Sequence, residues 1–279
     1  MNYRHAYHAG NHADVLKHIV LAQTIERLVK KDKPLRFVDA HAGTGLYDLA
    51  GIEAGKTLEW QDGIGRMADA FAAPVEELLT AYRRITSELG RNRHYPGSPW
   101  IAAKLLRAED RLVLNDLHPV DCGLLAANFG GDPRVSVTGV EAELCVKASL
   151  PPPERRGLIL IDPPYEKRDD AERALRMLEQ GLRRFATGCF IVWYPLKADD
   201  AAARICAGAA GLKRPGTLRI ELRVREPFAA GGLAGSGLIV VNPPWQLDHD
   251  LETITPALAG RLGRGTWGRT GVEWLTPPA

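Results

Sequence analysis

Seven short runs rich in aliphatic and β-branched residues recur along the chain, and their spacing limits the folds that it can adopt. They are LRFVD (35–39), RLVLN (111–115), VSVTGV (135–140), LILID (158–162), CFIVWYP (189–195), TLRIELRV (217–224) and GLIVV (237–241). Helical or turn-rich stretches separate the first six, a pattern typical of a parallel sheet covered on both faces. Residues 226–237 lack a helical pattern, so the last two strands should be antiparallel. The chain is predicted to be an α/β protein with a Rossmann-like, mostly parallel seven-stranded sheet and an antiparallel last strand.

Two other segments read as helical. Asn11 can cap a helix from about His12 to Lys31, with Asp14 placed favourably in its first turn. Residues 49–95 change in pattern and contain an amphipathic helix within 72–90. We therefore expect one domain made of residues 1–48 and 96–279, and an inserted helical subdomain at 49–95.

Composition sets few limits on function. The formal charge of +2 and the pI near 8.3 permit a nucleic-acid partner without requiring one. The four cysteines (Cys122, Cys145, Cys189 and Cys206) form no Cys-x-x-Cys pair, which indicates reduced thiols and a cytoplasmic location. Neither a signal-peptide pattern at the N-terminus nor an apolar stretch long enough for a bilayer is found in the sequence.

The turn D-A-H-A-G-T-G (39–45) follows the first strand, where such sheets bind nucleotide-like cofactors. Gly43 would let the backbone approach a ligand closely. An NAD site would need a third glycine, and an acidic residue about 20 positions further on at the end of a second strand; here the third glycine is missing and no second strand follows within that distance. Asp116, after the next strand, can hold ribose hydroxyls. The turn therefore favours S-adenosylmethionine (SAM) over NAD, although two glycines alone are also common in structural turns.

Two similar tetrapeptides, D-P-P-Y (162–165) and N-P-P-W (242–245), each follow an apolar strand. An exocyclic base amine needs acceptors for its two hydrogens before its lone pair can attack a methyl group. The Asp162 carboxylate and the Pro163 carbonyl suit this role, and Tyr165 can stack on a flipped base. The plainer alternative is a strand ended by prolines and covered by an aromatic ring. Position favours D-P-P-Y, because its strand is the fourth and should lie beside the first. Asn242 and Trp245 are expected to close the sheet instead.

Four histidines (His5, His8, His12 and His18) lie within the first eighteen residues. A metal site is disfavoured, because nothing near His8 and His12 completes a ligand shell. Tyr3, Arg4, His5 and Lys17 offer stacking and phosphate contacts to RNA, the alternative being a frayed terminus. Basic residues also concentrate in 204–225 and at the end of the insertion (Arg83, Arg84, Arg91 and Arg93), where they either track phosphates or form a solvated face.

Several longer segments together resemble one family, the bacterial 23S rRNA adenine-N6 methyltransferases called RlmJ. They are YRHAYHAGNHADVLKH, DAHAGTG, YPGSP, LHP, RRGLILIDPPYE, RFATG, WYP and SGLIVVNPPW, which span nearly the whole chain. The resemblance implies a class I methyltransferase that uses SAM to methylate one adenine. Its substrate would be 23S rRNA that is protein-free or in an early assembly intermediate. It further implies a monomer without a protein partner, whose N-terminal segment (1–33) contributes to the cofactor and substrate sites.

The resemblance also assigns site residues. Cofactor-binding positions of the family fall on His18, His41, Ser98, Asp116, Glu141, Ala142 and Asp162. The catalytic aspartate falls on Asp162, and a substrate-contacting tyrosine falls on Tyr3. Glu141-Ala142 departs from the family's Asp-Gly pair, and a glutamate there can still accept from the adenine amine of SAM.

Three other functions remain open from the sequence. A DNA adenine-N6 methyltransferase would use the same pocket, but no sequence-reading domain is recognisable. A protein-glutamine methyltransferase would fit better if N-P-P-W were the active motif. A non-catalytic RNA-binding module would have no need for Asp162, Tyr165 and the glycine turn.

Overall fold

The computed structural model describes residues 4–91, 93–226 and 232–278. In chain order its strands are β1 (Arg36–Asp39), β2 (Leu46–Asp48), β3 (His94–Pro96), β4 (Arg111–Asn115), β5 (Val135–Thr138), β6 (Gly157–Ile161), β7 (Cys189–Leu196), β8 (Thr217–Arg223), β9 (Gly235–Val241) and β10 (Arg269–Thr276). All but β2 and β3 form one sheet with the order β10-β8-β9-β7-β6-β1-β4-β5.

The central pairings confirm the predicted topology. β1 lies between β4 and β6 and is parallel to both, and β5 and β7 extend the parallel sheet on either side. The D-P-P-Y strand is therefore the immediate neighbour of the first strand. β9 is antiparallel to β7 and β8, as the missing helix between the last two predicted strands indicates.

The prediction of seven strands was wrong by one, because β9 is not the last strand in the chain. β10 follows it and pairs antiparallel with β8 at the edge of the sheet. Its sequence, RTGVEWLT, lacks a β-branched run, and all its side chains are exposed or half-buried. Pairing with β8 therefore decides this strand, because its own hydrophobic pattern is weak.

The helices are α1 (His12–Val29), α2 (Ile52–Thr57), α3 (Val75–Leu78), α4 (Thr80–Gly90), α5 (Ser98–Leu105), α6 (Pro119–Phe129), α7 (Ala142–Ser149), α8 (Asp170–Arg184), α9 (Ala201–Gly211) and α10 (Leu247–Leu262). One hydrophobic cluster joins the sheet to α1, α5, α6 and α10, and a second joins its other face to α7, α8 and α9. This is the two-faced covering that alternating strands and helices predict. In the described part of the chain, no helix is both long and apolar enough to span a membrane.

The first helix begins as predicted. The Asn11 side chain accepts hydrogen bonds from the backbone N–H groups of Ala13 (2.9 Å) and Asp14 (3.1 Å). These bonds satisfy donors that have no partner within the helix. The helix ends at Val29, and every residue from 13 to 25 is buried. A helix buried on all sides can place polar side chains inside the protein, where they contact the site described below.

The described residues between β2 and β3 are mainly helical, and these two strands, which pair antiparallel, bracket them. The amphipathic helix predicted within 72–90 is divided at Leu79 into α3 and α4. Tyr82 and Ile85 of α4 are buried in the cluster that contains α1. Arg83 donates to backbone carbonyls of residues 67–69 and pairs with Glu76, so it holds this region together.

Candidate active site

A cavity of about 510 Å³ opens where β1, β4 and β6 end, and its volume lies within the usual range for small-molecule sites. Eleven of the thirteen predicted site residues line it: His5, Lys17, His18, His41, Gly43, Ser98, Asp116, Glu141, Ala142, Asp162 and Pro163. Tyr165 does not line this cavity, and Tyr3 lies outside the described residues. The carboxyl ends of neighbouring parallel strands thus bring together residues up to 158 positions apart, from His5 to Pro163.

The glycine turn after β1 is tied to the end of β4. Gly43 has φ +59°, and a Cβ added there would lie 2.0 Å from the Tyr47 hydroxyl oxygen. Its N–H donates to Asp116 Oδ2 (2.9 Å), and the His118 N–H donates to Asp116 Oδ1 (2.8 Å). Burial raises the pKa of Asp116. Each carboxylate oxygen keeps a further lone pair, so Asp116 is oriented to accept from hydroxyl groups in the cavity.

Asn115 and Asp39, which were not among the predicted site residues, fix the turns around the cavity. Asn115 donates to the carbonyls of Ala40 (3.1 Å) and Val140 (3.0 Å), which joins the turns after β1 and β5. Asp39 accepts from the Ser98 hydroxyl (2.6 Å) and from the His41 N–H (3.2 Å). Burial raises the pKa of Asp39 to about 7. The sequence signal in each case is a polar residue at the end of a buried strand.

Asp162 is held by a buried chain of charges that begins in α1. The Lys17 ammonium lies 2.5 Å from Asp162 Oδ2 and 2.9 Å from Asp14 Oδ1. Asp14 Oδ2 contacts His5 Nε2 (2.9 Å) and accepts from the Gly10 N–H (2.9 Å). The N-terminal segment, α1 and the D-P-P-Y motif therefore meet at one network of opposite charges.

The electrostatics of this network keep Asp14 and Lys17 ionised. Burial favours neutral Asp14, but the attraction of His5 and Lys17 outweighs it and holds the Asp14 pKa well below its usual range. Burial also disfavours charged Lys17, yet Asp14 and Asp162 hold the Lys17 pKa well above its usual range. A buried cation between two carboxylates is stable because each charge has a partner at contact distance.

Two of the histidines that line the cavity, His18 and His41, are neutral. The Asp162 N–H donates to His41 Nδ1 (3.2 Å), so the His41 proton resides on Nε2. Burial lowers the pKa of His41 to about 4 and that of His18 to about 3. His18 Nδ1 lies 2.8 Å from the Tyr95 hydroxyl, and the two rings stack. Both rings therefore act as hydrogen-bonding groups rather than as cations.

Tyr165 points away from the cavity. Its hydroxyl donates to the Trp193 carbonyl (2.7 Å), and its ring contacts the Trp193 ring edge-to-face at 5.5 Å. It lines a second, smaller cavity with Lys167, Arg168 and Arg204. Trp193 lines the main cavity instead, so its aromatic side chain is available to a base there. Trp193 was not among the predicted site residues. Stacking of a base on Tyr165 remains a prediction. It requires the D-P-P-Y segment to rotate so that the Tyr165 ring faces the main cavity.

The second tetrapeptide, N-P-P-W, lies on the opposite side of the sheet from the cavity, at the end where the parallel strands begin. β9 runs antiparallel, so Asn242 emerges where the parallel strands begin. Its amide donates to the carbonyls of Ala186 (3.0 Å) and Gly188 (2.8 Å). Asn242 thus fixes a loop, but the expectation that Trp245 helps close the sheet was wrong, because that side chain is 84% exposed.

His8 and His12, the two candidate metal ligands, have different neighbours. His8 Nδ1 lies 3.0 Å from Glu59 Oε1, and burial lowers the pKa of His12 to about 4. Within the described ranges, no group of three or more His, Cys, Asp or Glu side chains is arranged to hold a metal ion.

The doubly covered parallel sheet, its antiparallel strand and the cavity at the carboxyl ends of β1, β4 and β6 are those of a Rossmann-like methyltransferase. A family model described as "Ribosomal RNA large subunit methyltransferase D, RlmJ" matches residues 32–276. The chain therefore belongs to this family.

Curated relatives and a solved structure agree with this assignment. "Ribosomal RNA large subunit methyltransferase J" of Haemophilus influenzae is 44% identical over 286 residues, and the protein of the same name from Escherichia coli is 42% identical over 282. Each alignment covers 99% of both chains. A crystal structure of a Legionella pneumophila protein is 30% identical, with a TM-score of 0.83 over 95% of this chain and 98% of that one.

Proposed function

We propose that this protein transfers a methyl group from SAM to N6 of one adenine in 23S rRNA that is protein-free or in an early assembly intermediate. The observation that carries the proposal is the position of Asp162 and Pro163 in the cavity wall, beside the glycine turn and Asp116. The two curated relatives are named as methyltransferases of large-subunit ribosomal RNA. The base-directed chemistry of D-P-P-Y supports adenine N6 as the target.

The donors and acceptors of the cavity fit SAM. Asp116 presents lone pairs suited to the ribose hydroxyls, and Leu117 and Ala142 offer apolar surface to the adenine ring. Glu141 is mostly exposed, with Oε2 accepting from Arg173 at 3.2 Å, so the other oxygen can face the adenine amine. His18, His41 and Ser98 line the inner part of the cavity. Bound there, SAM supplies an electrophilic methyl group.

The chain's own residues would position the base. Lys17 donates to Asp162 Oδ2 and so fixes the orientation of the carboxylate. Asp162 and the Pro163 carbonyl can then accept the two hydrogens of the adenine amine, so that its lone pair faces the methyl group. Asp162 would then accept the proton that the amine nitrogen loses as its bond to the methyl carbon forms and the methyl–sulfur bond of SAM breaks. Because the base must leave its helix to reach this wall, the proposal includes base flipping.

Lys17 has a different role from the phosphate contact expected from the sequence. Its side chain is only 6% exposed and is engaged by Asp14 and Asp162. We therefore infer that Lys17 acts through Asp162, whereas His5, at 22% side-chain exposure, remains accessible to RNA.

The test is transfer of labelled methyl from SAM to deproteinised 23S rRNA, assembled large subunits and duplex DNA, followed by nucleoside separation. We expect N6-methyladenosine from naked rRNA. Asp162→Asn should abolish this product and leave SAM affinity within about 3-fold of wild type, since the cofactor's other contacts remain. Label in DNA alone would replace the proposal with DNA methylation, and wild-type turnover by Asp162→Asn would remove Asp162 from the mechanism.

A further inference from the structure

A concentration of positive charge lies at the edge of the sheet where the parallel strands begin, opposite the cavity. Six segments lead into β1, β4, β5, β6, β7 and β8 at this edge, and we call them together the basic edge: 30–36, 107–111, 132–134, 154–156, 183–188 and 213–216. They hold thirteen Lys and Arg residues but five Asp and Glu residues. The whole chain has 36 basic and 34 acidic residues, so the remainder carries a net negative charge.

Hydrogen bonds join neighbouring segments on each side of the basic edge. Arg107 donates to the carbonyls of Lys31 (3.3 Å) and Lys33 (2.7 Å), and Arg156 also donates to both. Towards the other side, Arg214 donates to the Ala186 carbonyl (3.0 Å). Six strand intervals separate β5 from β8, which gives a width of about 29 Å. That width suits most of a helical turn of a nucleic-acid duplex.

Much of this charge is not neutralised by neighbouring acids. Six exposed side chains have no carboxylate within 4 Å among the residues that the structure describes: Lys30, Lys31, Lys33, Arg155, Arg184 and Lys213. Paired surface charges contribute little to a long-range field, whereas an array of unpaired ones attracts polyanions.

Two of these unpaired cations lie in loops with an unusual backbone conformation. Arg155 and Lys213 both lie in the left-handed region, at φ 53° and 51°. Glycine or asparagine adopts this conformation at lower free-energy cost than a long side chain. Asparagine can therefore replace both cations without changing the conformation of either loop.

We propose that the basic edge binds the phosphate backbone of an RNA duplex, as a second contact with the substrate that is remote from the methylated base. This inference rests on the proposed function in taking that duplex to be part of the rRNA. The five residues of β6 span about 17 Å and separate the cavity from the basic edge. A helix of the folded RNA other than the one that holds the methylated base must therefore reach the basic edge. Trp245, exposed at the same edge, offers a ring on which an unpaired base can stack.

The test is a triple variant, Lys33→Gln with Arg155→Asn and Lys213→Asn. Asparagine tolerates positive φ, so the two loops keep their conformation while three charges are lost. For deproteinised 23S rRNA we expect KM to rise about 10-fold or more near physiological salt, and the slope of log affinity against log salt to decrease by about 2 to 3. The kcat at saturating rRNA and the SAM affinity should not change, because the cavity lies at the other edge.

A matched control removes three charges elsewhere: Arg93→Asn, at φ 61°, with Arg176→Gln and Arg269→Gln. It should keep the wild-type KM and salt slope. Binding of a 20-base-pair RNA duplex without SAM, measured by anisotropy, separates this inference from the proposed function. Weaker duplex binding by the triple variant than by the control supports the basic edge even if wild type methylates no rRNA. Equal duplex binding by both variants, or an unchanged KM for rRNA, overturns it.

Discussion

Lys17 Nζ contacts Asp162 Oδ2 at 2.5 Å, and this pair connects the first helix to a carboxylate 145 residues further along the chain. Both side chains are largely buried, at 6% and 13% exposure. Asp14 holds the other side of the ammonium and contacts His5. The orientation of Asp162 is therefore set by a helix that is itself buried on all sides.

Replacing Lys17 by methionine should abolish methyl transfer and destabilise the protein. Asp14 would lose its buried counter-ion, a change that costs about 3–5 kcal/mol. Denaturant unfolding and single-turnover methylation measure the two effects. The matched variant Asp14→Asn with Lys17→Gln should recover much of the stability, because position 14, the more deeply buried of the two carboxylate sites, no longer carries a charge, and Asp162 is the only carboxylate of the network left without its lysine partner. It should still turn over slowly, since Asp162 is no longer held; wild-type turnover in the double variant would contradict the positioning role of Lys17.

Asn242→Ala should affect stability rather than chemistry. The change removes two hydrogen bonds to the 186–188 loop and places alanine at φ 53°, for an expected loss of about 1–3 kcal/mol. The kcat and the SAM affinity should remain at wild-type values, measured on protein that is folded at the assay temperature. A kcat as low as that of Asp162→Asn would show that the two tetrapeptides had been assigned the wrong way round.

Gly43→Ala should weaken both the glycine turn and SAM binding. Its Cβ would overlap the Tyr47 hydroxyl at 2.0 Å in a backbone conformation at φ +59°. We expect a loss of about 2 kcal/mol or more in stability and reduced SAM affinity by calorimetry. Gly123→Ala is the control, because open space surrounds that glycine within α6, and it should stabilise the protein by about 0.5–1 kcal/mol. Equal SAM affinity in the two variants would argue against a cofactor at this turn.

Asp39→Asn should stabilise the protein above neutral pH. The pKa of Asp39 is about 7 in the fold and about 3.9 in an unfolded chain. Stability from the protonated carboxyl is therefore complete below pH 4 and is lost as the pH rises through 7. At pH 8 the variant should gain roughly 2 to 4 kcal/mol over wild type, and at pH 4 it should gain little. Thermal unfolding of both proteins across this range measures the difference, in which contributions from the buried histidines cancel. A gain that does not depend on pH would exclude ionisation of Asp39 as its cause.

Local patterns in the sequence determined much of the architecture. The β-branched runs located β1, β4, β5, β6, β7, β8 and β9, and the absence of a helix before β9 indicated its antiparallel direction. Asn11 marked the start of α1. Because parallel strands present their carboxyl ends at one edge, the strand-end residues Gly43, Asp116 and Asp162 could be placed around one cavity.

Tertiary structure decided what depends on packing between distant segments. β10 forms because β8 offers an edge, and its own sequence is too polar to predict it. Tyr165 turns towards the Trp193 carbonyl, which leaves Trp193 to face the cavity. The ion pair of Lys17 with Asp162 also has no local signal, since a lysine in a helix is ordinarily solvated. Burial of α1 against the sheet removes that solvent, and the only partners at contact distance are then the carboxylates of Asp14 and Asp162 among the residues described.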